Sequence, residues 1–384
     1  MAERVLLVAS RFPWPPITGD RIRLLAWLEA LGPLAEVTLV APPGRVPADA
    51  PRLRFVPAPR SAAALAAGAV RVASQRLPAT ALLAAGHDWR GALGRAAASA
   101  DFDAAVVLLA RLDPWVFPHL RARRRVFDAI DSLAANLEER AGAARGPARA
   151  WWRRESRRTA ALERDAVRRY DRTVVVAEAE RVRLGGGVVA VFHGVRIGPV
   201  GGGPRPFDVG FWGRLAYFAN RDAVEALTSE VWPRVRRARP GARLLVAGAD
   251  APRSIRRLDG RDGITVVSPF ADRDALLRQV KVAVLPLRYG SGQSNKVLEA
   301  AEASCALVAT PEAVRGLDAI AVAAAVARDP AALADRALGL LADPEAAARS
   351  GARLRAVVEQ EFSRETACRR LAAIALGAGG PISG

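Results

Sequence analysis

Lysine is almost missing from this chain: of 57 basic residues only Lys281 and Lys296 are lysines. Arginine therefore carries nearly every generic positive charge, and a lysine at a turn next to a strand is worth examining by itself. Cysteine is equally scarce. Cys305 and Cys368 stand alone, without close spacing, which excludes a disulfide framework and a zinc site built on paired thiols; both are expected in the core. The three histidines, His87, His119 and His193, are too scattered to define a catalytic set.

Long apolar runs are absent as well. The alanine-rich segment 62–85 is broken by Arg71 and Arg76, so no stretch reaches the roughly 18 uncharged residues that suggest a bilayer span. The opening MAERVLLVASRFP has an apolar run too short for a secretory signal and reads as a first strand, which predicts a cytoplasmic protein. No G-x-G-x-x-G follows that strand, which argues against a nicotinamide dehydrogenase.

What is present is a regular alternation of short apolar runs and amphipathic stretches over 384 residues, a length that favours two domains. Runs such as VLLVA at 5–9, VVLLA at 106–110, TVVVA at 173–177 and LLVAG at 244–248 suit strands buried on both faces of parallel sheets. The class is α/β. Strands are expected near 4–8, 36–40, 53–56, 104–109, 125–128, 173–177 and 188–192, and again near 208–213, 242–248, 264–268, 281–287 and 306–309. Helices are expected near 221–239, 272–279, 295–303 and 363–376, and Asp-Pro pairs at 329 and 343 mark two more helix starts. The segment GPVGGGPRP, 198–206, suits neither a helix interior nor a central strand and reads as a hinge. The expected division is 1–198, 199–360 and a final helix and tail, 361–384, packing back on the first domain.

The net charge is +18, yet the arginines are spread along the chain and no nucleic-acid motif is visible, so no nucleic-acid partner is expected. The segment 144–172 combines Trp151 and Trp152 with arginine pairs; it reads as a scaffold helix, or as a peripheral contact with an anionic membrane.

Ligands of open parallel sheets bind beyond the carboxyl ends of the strands. The first candidate there is YGSGQSNKVLEAAE, 289–302. Gly290 and Gly292 let backbone approach a ligand, the amides near Ser294 and Asn295 open a helix toward an anion, and Lys296 adds a full charge. A magnesium-binding phosphate loop is excluded, because Asn295 and Val297 stand where that motif needs glycine and a hydroxyl. The second candidate is Arg214, following Gly213 at the end of a strand, placed to reach a diphosphate. In the first half, Thr18, Gly19 and Asp20 close a proline-stiffened loop after the first strand. Asp128 and Asp131 follow another strand, where they can orient an acceptor hydroxyl or act as a base, and Asp131 can equally cap a helix.

In order, the segments PPITGDRIR, VVVAEAE, FHGV, FWGRLAYFANRDAV, PGARLLVAG and GSGQSNKVLEAAEASCALVAT resemble the retaining glycosyltransferases of family 4, also called group 1, over most of residues 10–318. YFANRDAV and QSNKVLEA are most similar to sugar transferases associated with bacterial exopolysaccharide clusters. The resemblance implies two facing Rossmann-like domains (GT-B) and transfer of a sugar from a nucleotide-sugar donor to a saccharide, lipid-linked or small-molecule acceptor. It implies retention, with no metal and no other cofactor. Arg214 and Lys296 would neutralise the diphosphate, Glu299 would bind the ribose, and Gly19 would line the donor pocket. The chain departs from the pattern at Ser291, where relatives carry a glutamate, and at His193-Gly194-Val195-Arg196, where many have Asn-Gly-Val-Asp. A sugar-nucleotide epimerase and a noncatalytic saccharide- or partner-binding protein are the alternatives.

Overall fold

Residues 2–98, 101–199, 203–270, 272–289 and 294–377 are described by the computed structural model. Two compact units divide them, Met1–Gly194 with Arg364–Gly384, and Val195–Ser363. The divisions lie a few residues from those suggested by composition, because Gly198 is already held in the second unit. Its amide donates to Glu302 and its carbonyl accepts from Arg355.

The first unit is built on a seven-stranded sheet, with β1 (Glu3–Val8), β2 (Ala35–Ala41), β3 (Arg54–Pro57), β4 (Phe102–Leu108), β5 (Ala122–Ile130), β6 (Arg172–Val175) and β7 (Val188–Ala190) in the order β3-β2-β1-β4-β5-β6-β7. The second unit holds β8 (Phe207–Trp212), β9 (Leu244–Ala247), β10 (Ile264–Val267), β11 (Val280–Leu285), β12 (Ala306–Ala309) and β13 (Ala325–Val326), ordered β10-β9-β8-β11-β12-β13. Every pairing between these strands is parallel. Both sheets have the doubly wound order of Rossmann-like domains, with a reversal of winding between β1 and β4 and again between β8 and β11. The valine- and leucine-rich runs form these central strands because both faces are covered: Val5, Leu7, Val8, Val106 and Val107 are fully buried, as are Val209, Val282 and Val284.

The helices that bear on the sites are α1 (Gly19–Leu31), α2 (Leu133–Ala143), α3 (Gly146–Arg169), α4 (Glu178–Leu184), α5 (Phe218–Ala226), α6 (Asn295–Glu302), α7 (Pro344–Glu361) and α8 (Arg364–Leu376). Asp329 and Asp343 cap helices through Ala332 and Ala346, as their Asp-Pro pairs suggest. The helix expected over 221–239 is interrupted: α5 gives way to a wider five-residue turn, Leu227–Val231, before helix resumes at Trp232. Pro233 has no amide to donate and crowds the carbonyl one turn back, which widens the coil there. The last helix, α8, belongs to the first unit and packs on α1, β4 and β5.

Candidate functional site

In the second unit, β8 ends at Trp212 and the chain turns sharply at Gly213, whose φ of +144° belongs to glycine. The turn is crowded from two sides. A Cβ on Gly213 would stand 2.8 Å from Lys296 Cε and 3.3 Å from its Nζ, while one on Gly248 would stand 1.7 Å from the Gly213 carbonyl oxygen. The missing side chains therefore let the ends of β8 and β9 approach each other and let the Lys296 ammonium lie against the turn that leads into Arg214.

Lys296 sits in the first turn of α6, with its ammonium 5.9 Å from the centroid of the Phe211 ring. Burial pushes its pKa below the usual lysine value, and Glu299 opposes that shift. The amides of Asn295 and Lys296, at the start of α6, have no acceptor within the helix. Ser294 precedes them, and its hydroxyl is buried with no hydrogen-bond partner. An orphaned hydroxyl, amides without an intrahelical acceptor and an ammonium together suit an anion. Gly290, Ser291 and Gly292, the preceding part of the sequence motif, lie outside the described residues.

Glu299 lies one turn along α6. Trp212 Nε1 donates to its Oε2 at 2.8 Å and Arg273 Nη1 to its Oε1 at 3.0 Å. Burial raises its pKa, while Arg273, Trp212 and Lys296 pull it back. Arg214 is largely exposed, and its Nε donates to Asp250 at 2.9 Å. Asn220 is not a helix cap: it is buried, and its side-chain amide donates to the Arg214 carbonyl at 2.8 Å, bracing the turn. Three exposed rings flank this end of the sheet, with Tyr217–Phe218 centroids 4.9 Å apart and Phe218–Tyr289 centroids 5.7 Å apart.

In the first unit, Thr18 and Asp20 meet where the winding of that sheet reverses. Thr18 Oγ1 donates to Asp20 Oδ1 at 2.6 Å, and Asp20 Oδ2 lies 3.4 Å from Arg11 and 3.5 Å from Arg111. Arg111, from the segment after β4, also donates to Ser10 at 3.3 Å. Its pKa is pushed down by burial and then by Arg11, with Asp20 opposing. One carboxylate thus faces two guanidiniums at the carboxyl ends of β1 and β4. A side chain on Gly19 would meet nothing within 4 Å.

Asp128 has a different role from the one its position suggests. It is fully buried, and its Oδ2 accepts from Arg23 Nε and Trp27 Nε1, both at 2.6 Å. Its Oδ1 accepts the Ile130 amide at 2.9 Å across a bulge in β5, where Ile130 has φ +63°. A carboxylate so enclosed offers no edge to an acceptor; it anchors α1 to β5. Asp131 is half-buried and does not cap α2, since Ser132 does so through Ala135. Burial and then Asp128 raise the Asp131 pKa, against Arg23. Beside it, burial raises Glu163, and the Glu180 carboxyl is pushed up to about 7, chiefly by burial and partly by Asp131 and Glu163. His193 is buried, and burial followed by Arg23 and Arg364 lowers it to about 3. Among the described residues no cluster of three or more metal-type ligands is present.

Residues 206–343 match the family model for glycosyl transferases group 1. That segment contains Gly213, Arg214, Lys296 and Glu299. The crystal structure of TarM superposes with a TM-score of 0.69 at 10% identity, covering 97% of this chain and 99% of that one. Sucrose-phosphate synthase from Thermosynechococcus elongatus gives 0.68 at 16% identity, over 96% and 97%. HepE from Anabaena, in complex with UDP-glucose, gives 0.62 at 12% identity, over 96% and 98%. No curated protein matches the sequence. At these identities the structural likeness establishes the fold, two Rossmann-like domains with parallel sheets, as in GT-B proteins.

Proposed function

We propose that the chain is a glycosyltransferase that moves a sugar from a nucleotide-sugar donor to an acceptor hydroxyl with retention at the anomeric carbon. The observation that carries the reading is the Lys296 ammonium held against the Gly213 turn, at the start of a helix that also offers the orphaned Ser294 hydroxyl and its opening amides, inside the segment that matches a glycosyltransferase family. A departing nucleoside diphosphate gains negative charge as the glycosidic bond breaks. Prearranged cations and amides aimed at it lower the barrier, and the reading calls on no metal ion. Lys296 takes the diphosphate charge together with Arg214, whose guanidinium is turned outward beside Asp250. The donor-binding group is completed by Ser294, Asn295 and Glu299, with Glu299 held for the ribose by Trp212 and Arg273; Gly290, Ser291 and Gly292 are assigned to it from the sequence alone. The complex of HepE with UDP-glucose supports a nucleotide sugar as the donor class.

Acceptor recognition is assigned to the first unit, to Thr18, Asp20 and Asp131, with Arg111 added from its contact with Asp20. Gly19 supplies room for a ligand near the start of α1. The acceptor is a saccharide, a lipid-linked sugar or a small molecule, and the departing phosphate itself accepts the acceptor proton.

Thermal shift against a panel of nucleotide sugars selects the donor, since a ligand that binds only the folded state raises Tm. With that donor, Lys296→Ala is expected to lower turnover roughly a hundredfold, the scale of losing one prearranged transition-state donor. Wild-type turnover in the variant removes Lys296 from the mechanism. Conversion of the donor without any acceptor identifies an epimerase instead, and a Tm shift with neither transfer nor conversion identifies a binding protein, the reading favoured by Ser291 in the usual glutamate position.

A further inference from the structure

The hairpin formed by α2 and α3 in the first unit carries a charge that its own acids do not balance. From Arg149 to Arg158 there are five arginines and one glutamate. That glutamate, Glu155, is turned inward, where it is 3% exposed, accepts the Ala79 amide and pairs with Arg158. Among the described residues, Arg145, Arg149, Arg153, Arg154 and Arg157 pair with no carboxylate. All five are exposed. Arg149, Arg153 and Arg157 fall on one stripe of the helix, where like charges four residues apart repel and weaken it. With Arg154 and Arg158 they line a groove of about 460 Å3.

Two indoles accompany these charges. Trp151 is 47% exposed, its ring lies 4.4 Å from that of Trp152, and Trp152 is covered by the Arg140 guanidinium at 5.4 Å. Every residue from Arg145 to Trp151 is exposed, so the start of α3 presents a bare surface of guanidiniums with an indole among them.

We propose that this surface docks the protein on an anionic lipid bilayer, with the arginine stripe on phosphate headgroups and Trp151 at the boundary between headgroups and acyl chains. The span from Arg145 to Arg157 is about 18 Å at helical rise, longer than one headgroup, so a sheet of anions matches it better than a single one. An indole with a polar N–H and an apolar body partitions to that boundary, while arginines engage headgroups above it. The inference stands on these residues alone and is independent of the sugar-transfer reading.

The test is sedimentation of the whole chain with phosphatidylcholine vesicles, with and without about one-third phosphatidylglycerol, in 0.1 M salt, where screening between distant charges is already substantial. The wild type is expected to pellet with the anionic vesicles only. The triple variant Arg149→Glu, Arg153→Glu, Arg157→Glu should weaken partitioning by more than about a hundredfold, because each basic residue near such a surface strengthens binding several-fold and each glutamate adds repulsion. The corresponding glutamines, less disruptive to the helix, should lose a smaller share, and Trp151→Ala a further share. A control with the same total charge change, Arg234→Glu, Arg237→Glu, Arg257→Glu, alters exposed arginines of the second unit and should keep wild-type binding. Equal loss in both glutamate triples, or no wild-type binding to anionic vesicles, overturns the proposal. So does tighter, hairpin-dependent binding to a labelled single-stranded oligonucleotide, which would assign the surface to nucleic acid.

Discussion

Lys296 Cε lies 2.8 Å from the point where a side chain on Gly213 would begin. Gly213→Ala must therefore displace the lysine or the turn, and it must also hold alanine at φ +144°. The expected outcome is a loss of about 1–3 kcal/mol in urea unfolding, the scale of a strained backbone position, together with weakened donor binding at temperatures where the variant is folded. Unchanged donor affinity and turnover would show that the position of the ammonium against this turn is immaterial.

Glu299 offers a separate reading of the same site. Glu299→Gln keeps an acceptor for Trp212 but removes the charge opposite Arg273. KM for the donor should rise about tenfold, a loss of roughly 1.4 kcal/mol, with a smaller change in kcat. A fall in kcat at constant KM would move Glu299 from donor binding to the chemical step.

The buried pair of Arg23 and Asp128 predicts a loss of stability. Asp128→Ala leaves a guanidinium with 0% exposure without its carboxylate, and breaking a buried pair from one side costs about 3–5 kcal/mol. Urea denaturation should show that loss, and Trp27, which also donates to Asp128 at 2.6 Å, should report it by fluorescence. A loss below about 1 kcal/mol, the level of an exposed pair, would contradict the anchoring role.

Stability should also depend on pH from two sides. The Glu180 carboxyl is held at about 7 against 4.5 when unfolded, so the folded state keeps a proton that the unfolded chain has lost. Its contribution is full below pH 4.5 and disappears as pH rises through 7. The His193 ring is held at about 3 against 6.5; its contribution is full above pH 6.5 and is lost as pH falls toward 3. Glu180→Gln should therefore raise Tm relative to the wild type at pH 8 and leave it nearly unchanged at pH 4.5. Between pH 4.5 and 6.5 the two contributions run in opposite directions and offset each other, so the variant is the check: a Tm difference between Glu180→Gln and the wild type that is the same at pH 4.5 and pH 8 would rule out the Glu180 shift.

Twelve strands were readable from the chain because most are short valine- or leucine-rich runs, and the central ones are buried on both faces, whereas the edge strand β3, RFVP, has one buried residue in four. The two-residue β13, Ala325–Val326, carries no such pattern. The region around Arg214 and Lys296 was readable for a related reason: strand ends in parallel sheets are where glycine and an isolated cation stand out. Arg111 was not readable. One arginine among so many gains meaning only when β1 and β4 become neighbours and bring it to Asp20. The network of Arg23, Trp27 and Asp128 joins α1 to β5 across 105 residues, and nothing local in RRVFDAIDS distinguishes a core anchor from a base. The aromatic group Tyr217, Phe218 and Tyr289 likewise forms only when the segments after β8 and β11 converge.

The chain leaves the first unit at Val195 and re-enters it at Arg364, and the Val195 amide donates to the Phe362 carbonyl at 2.8 Å. The second unit is thus topologically an insertion whose two ends are stitched together. Removing α8 would strip packing from the first unit, whereas excising 195–363 and bridging the gap with a short linker would leave each fragment a continuous sheet of its own to fold around.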